Sequence, residues 1–253
     1  MASVRTHARL APGAREQLAT RIVFFGTGLG LATWAPLVPF AKARIGVGEG
    51  GLGLLLLCLG AGSIVAMPLA GALAARIGCR IVIVGSGLLL CLALPVLASV
   101  ASLPLLVAAL LAFGAGVGAI DVTMNIQAII VERASARPMM SGFHGLFSLG
   151  GIVGAGGMAA LLGAGASPLV ATLIVTASII VALAIAAPHL LAYGSRSEGP
   201  IFAFPHGVVL FLGILCFIAF MAESAVLDWS AVFLVSARGM ATSYAGWATP
   251  HSH

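Results

Sequence analysis

Charge is scarce in this sequence. Only 8% of its 253 residues are Asp, Glu, Lys or Arg, against about 25% in a domain that must keep a surface in water. The mean hydropathy is +1.17. An ordinary water-soluble globule is thereby excluded. Lysine is almost absent: Lys42 stands alone against eleven arginines. The net charge of +5 is not a nucleic-acid footprint, because no basic patch is interleaved with aromatic residues. The four cysteines, Cys58, Cys79, Cys91 and Cys216, include no pair at redox or zinc spacing. Cys58, Cys91 and Cys216 lie in apolar runs and read as small packing residues. There is no Gly-x-Ser-x-Gly elbow, no His-Glu-x-x-His pair and no P-loop. No enzyme chemistry, catalytic residue, metal or cofactor is therefore expected, and the terminal His251–His253 reads as tail.

What the chain has instead is apolar length. A membrane-crossing helix needs about 20 mostly apolar residues, and seven runs qualify: 22–40, 50–74, 81–101, 105–131, 139–164, 168–188 and 206–227. The fold expected is an all-α integral membrane protein, its successive helices antiparallel neighbours across short connections. If the N-terminus is cytoplasmic, Arg5, Arg9, Arg15, Arg21, Arg76, Arg80, Arg133, Arg137 and Arg196 share that side. Lys42, Arg44 and Arg238 face outward, a bias of nine to three that sets the orientation. Seven spans put the C-terminus outside, and the Ala- and Gly-rich, arginine-biased composition suggests a bacterial inner membrane. The chain divides into a basic tail (1–21), a six-helix unit (22–188), a cytoplasmic connection (189–205), a seventh helix with its outer end (206–235) and a polar tail (236–253). Premature termination or a frame change is the favoured reading of that tail; an ordinary loop is the other.

The loop "GALAARIGCR", residues 71–80, resembles the loop between helices 2 and 3 of the major facilitator superfamily. Gly71, Arg76, Gly78 and Arg80 match its gating motif, while Ala75 replaces the family's acid and Cys79 one of its basic residues. The stretches "AIDVTMNIQAIIVE" (119–132), "SGFHGLFSLGG" (141–151) and "AESAVLDWSAVFL" (222–234) sharpen the resemblance to the MosC-like subgroup. It implies a bundle of twelve helices in two halves, of which this chain holds about seven, and sugar-like or inositol-like solutes.

A few polar residues interrupt the apolar runs. An ionised acid at the centre of a membrane helix costs about 2.5–3.5 kcal/mol on insertion scales, so Asp121 needs a protein or water neighbour. Gly114, Gly118, Asp121, Asn125, Ala128 and Glu132 recur at three- and four-residue steps and form one stripe. Ser141, His144, Ser148, Gly151 and Ala155 form another. Counted at 1.5 Å per residue, Asp121 and Ser148 lie about 15 Å deep and Asn125 and His144 about 9 Å deep, so a polar contact between the two helices is expected. Two roles stand for Asp121: transport chemistry or a hydrogen bond between helices. His144 titrates near neutral pH or is a packing histidine. Glu223 serves coupling or solute, or sits in water at the outer mouth; Asp228 and Trp229 read as interfacial. Trp34, beside Pro36 and Pro39, stacks on a sugar ring or packs at the membrane boundary.

The function expected is secondary transport of a small polar solute, proton-coupled through these acids and the histidine, by a chain whose partners are that solute and the lipid bilayer, with no nucleic acid. The alternative is a truncated membrane protein that transports nothing. If the chain works as it stands, self-association into a dimer is expected.

Overall fold

The computed structural model describes residues 12–195 and 206–239, with the backbone alone at Ser224, Leu227 and Asp228. Arg5, Arg9, Arg196, the tail beyond 239 with His251–His253, and most of the 189–205 connection lie outside the described residues. Eight α-helices follow in order: α1 (Ala14–Ala32), α2 (Val38–Ile45), α3 (Glu49–Ile77), α4 (Cys79–Ser99), α5 (Leu103–Ser135), α6 (Met140–Gly163), α7 (Pro168–Ala186) and α8 (Val208–Arg238). No strand occurs among the described residues, and the fold is all-α. Among the described residues six helical segments, α1 and α2 counted as one, are long and apolar enough to cross a membrane, and α8 adds the apolar run Val208–Glu223.

The expected helix ends need correction. The first begins at Ala14, so Arg15 and Arg21 ride on it and are not in a tail. It continues as α2 to Ile45, placing Lys42 and Arg44 on a helix and not in a loop. Between them a 3-10 turn, Ala35–Leu37, breaks the hydrogen-bond ladder where Pro36 supplies no donor. The fourth expected run, 105–131, extends to 103–135 because polar residues extend a helix beyond the apolar slab.

The pairing of helices also departs from expectation. Apart from α4 and α5, successive helices are not the main neighbours: α3 lies along α5 and α1 along α6, while α5 and α6 barely meet. Glycines set this arrangement. A Cβ at Gly114 would lie 1.9 Å from the Leu59 carbonyl oxygen, and one at Gly62 2.1 Å from that of Leu111. On the other seam, a Cβ at Gly28 would lie 2.0 Å from the Phe147 carbonyl oxygen and one at Gly150 2.1 Å from that of Phe25. Backbones in direct contact gain dispersion energy that lipid cannot match, and small residues are what permit it. α4 packs on α5 and α7, and α7 on α1. Two apolar clusters result. One surrounds Trp34, Leu94 and Phe113 near the end where α4 terminates; the other surrounds Phe24, Met124 and Phe143 toward the opposite, arginine-rich end.

Arginines close two helix ends. Arg44 Nε donates to Val100 O at 2.6 Å, Nη1 to Ala98 O at 2.9 Å and Nη2 to Leu97 O at 2.7 Å. These last carbonyls of α4 have no partner in the helix itself, and one guanidinium satisfies three. Lys42, two residues earlier, pairs with Glu49.

Candidate functional site

Asp121 and Asn125 stand one turn apart on α5, both half-buried. Asn125 Nδ2 donates to Asp121 O at 2.9 Å and reaches Asp121 Oδ1 at 3.4 Å. The amide is therefore turned back along its own helix. Among the described residues no hydrogen bond joins Asp121 or Asn125 to His144 or Ser148. The reason lies in the packing. The Gly114 seam holds α5 to α3 and the Gly150 seam holds α6 to α1, so the two polar stripes lie on helices that barely meet. His144 is exposed, and its ring meets Phe24 edge-on at 5.3 Å, which in turn stacks on Phe143 at 5.4 Å. Ser148, one turn along α6, is also exposed. An acid and a carboxamide on α5, and an imidazole and a hydroxyl on α6, are thus donors and acceptors carried on separate helices.

Glu223 and Trp34 lie elsewhere. Glu223 is exposed on α8, which packs on α2 and the 3-10 turn. Trp34 is 3% exposed within the other apolar cluster, and its indole N–H has no partner among the described residues. Glu132, the last member of the α5 stripe, accepts from the backbone N–H of Met139 and of Met140, both at 2.6 Å, and so caps the start of α6.

The loop motif is structural at two of its four positions. Gly78 adopts φ +93°, and a Cβ there would lie 2.3 Å from Ala192 O. Arg80 donates from its backbone to Leu191 O at 2.8 Å, from Nε to Leu190 O at 2.9 Å and from Nη2 to Pro188 O at 2.7 Å. Together they bind the chain leaving α7. Gly71 packs against Val122, and Arg76 is exposed.

Gln127 was missed by the sequence reading. It is fully buried; its Nε2 donates to Thr20 Oγ1 at 3.0 Å and its Oε1 accepts from Leu191 N at 3.1 Å. One side chain joins α5, α1 and the chain after α7. The signal was available, since a carboxamide deep in an apolar helix needs partners. Gln127→Leu leaves a buried N–H unpaired, and a loss of about 1–3 kcal/mol is expected, measurable as a lowered denaturation midpoint in detergent.

No family model matches the chain. Curated relatives do. An uncharacterized MFS-type (major facilitator superfamily) transporter of Yersinia pestis is 57% identical over 236 residues, 93% of this chain and 62% of its own length. An uncharacterized transporter of Sinorhizobium fredii is 33% identical over 83% of this chain and 57% of its own. The membrane protein MosC of Rhizobium meliloti is 31% identical over 88% and 55%. The chain spans less than two thirds of the length of each.

Proposed function

Starting from a chain that is of the major facilitator superfamily and MosC-like, we propose that it supplies the solute-facing helices of a secondary transporter for a small polar solute, sugar-like or inositol-like. The observation that carries this reading is the half-buried, hydrogen-bonded pair of Asp121 and Asn125 within the membrane-length apolar helix α5. A polyol's hydroxyls donate to Asp121 and accept from Asn125. Asp121 and His144 are the candidate carriers of a proton moved with the solute as access alternates between the two membrane faces. The arginine-rich end, which carries the loop motif Gly71, Arg76, Gly78 and Arg80, faces the cytoplasm of a bacterial inner membrane. Trp34 and Glu223 belong to the outer approach.

The test is uptake of radiolabelled inositol and hexoses into proteoliposomes. Asp121→Asn is expected to lower uptake at least about fivefold, the low end of ordinary coupling free energies, and to flatten its pH dependence. An Asp121→Asn protein with full, pH-dependent uptake would overturn the coupling role. A competing reading, a helix bundle that moves no solute, is favoured by α8, whose residues 208–223 are exposed on every side. Absence of uptake by the unaltered chain for every solute offered, with intact helical circular dichroism, would support it.

A further inference from the structure

On the outside of the bundle, at its arginine-rich end, α3, α4 and α5 enclose a groove of about 400 Å³. Its floor is made by Ala70, Val82 and Ser86, all buried. The Ser86 hydroxyl is satisfied internally by Val82 O, so the floor presents nothing polar. Leu69 and Ile81, 65% and 57% exposed, stand up as its walls. Gly85 lies in the groove with nothing within 4 Å of where its Cβ would be.

The groove has a length and a polarity. It follows α4 from Ile81 to Leu89, about 12 Å at 1.5 Å per residue, which is close to the roughly 15 Å of one hydrocarbon leaflet. Leu89 is midway along α4. One turn beyond Leu73 toward the arginine-rich end is Arg76, which continues the Leu69–Leu73 stripe of α3 at i, i+4, i+7 spacing. It is exposed and has no hydrogen bond or ion pair among the described residues. Beyond Leu89 a second apolar groove runs between α4 and α5 to Val96. There the nearby guanidinium, Arg44, is already committed to three carbonyls.

We propose that the first groove is a binding site for one anionic phospholipid of the leaflet at the arginine-rich end, with an acyl chain along Gly85 and the phosphate on Arg76. Charge complementarity selects the headgroup, and depth selects the leaflet. Among the described residues the second groove has no free cation, and it takes acyl chains without headgroup preference. This inference concerns the lipid-facing side and stands or falls apart from the transport reading.

The experiment is native mass spectrometry of the delipidated whole chain titrated with phosphatidylglycerol or phosphatidylcholine of identical acyl chains. The unaltered protein is expected to retain one phosphatidylglycerol about fivefold more tightly than phosphatidylcholine, the effect of one arginine near a membrane surface. Arg76→Gln should abolish that preference, and Arg137→Gln, in the α5–α6 turn, should leave it. Gly85→Leu fills the groove without a clash and should weaken both lipids about equally. The proposal fails if the unaltered chain shows no preference, if Arg76→Gln keeps it, or if Arg137→Gln removes it equally, which would mark a diffuse basic belt. It fails also if Gly85→Leu binds normally, or if inorganic phosphate at equal concentration displaces the lipid, which would mark a headgroup site without an acyl chain.

Discussion

Gly114→Leu is expected to unseat α5 from α3 and to lower stability by at least about 3 kcal/mol, the upper range of overpacking costs. In a chain of this size that is a fall of roughly 6–12 °C in melting temperature. The obstacle is backbone, since the Leu59 carbonyl oxygen would lie 1.9 Å from the first added carbon and no rotamer change can move it. Gly145→Ala is the comparison. Its added carbon meets nothing within 4 Å, and a shift within about 0.5 kcal/mol is expected. Thermal unfolding of both purified proteins in the same detergent decides the matter. If Gly114→Leu melts within about 2 °C of the parent, α3 and α5 are not in backbone contact at this level.

Arg44→Met should cost about 2–4 kcal/mol. Hydrogen bonds from a charged donor contribute about 1.5–3 kcal/mol each, and three are lost, with water replacing part of that at a half-buried site. Arg44→Lys should recover less than half, because an ammonium is a point charge and cannot meet three carbonyls spread over Leu97, Ala98 and Val100 in one planar fork. Hydrogen exchange gives the local readout: amides across 94–102 should exchange faster in both variants. Unchanged exchange there would mean that the end of α4 is held by something other than this guanidinium.

That the chain is a series of long apolar helices was legible because lipid imposes it; where those helices end was not. A hydrocarbon slab demands long apolar runs, and those runs survive in the string whatever the helices touch. The shared face of Asp121 and Asn125 was legible too, because a four-residue step is local. Helix partners were not. Gly114 announces that some backbone comes close, but nothing in the period of α5 says that the backbone is that of α3. The same holds for Arg44, whose three acceptors lie 53 to 56 residues away. Read as a loop charge, it counted toward topology; on a helix it is a cap. Proline marked the break after Thr33, but the helix resumes because Pro39 sits in the first turn of α2, where its missing N–H costs nothing.

The clasp made by Gly78 and Arg80 has a mechanical consequence. Gly194 presses on it from the other side, where a Cβ would lie 2.3 Å from Ala74 O. The polypeptide leaving α7 is therefore pinned to the α3–α4 corner before it departs. Tension applied to the chain downstream would be delivered to that corner, and α7 would be shielded from the pull.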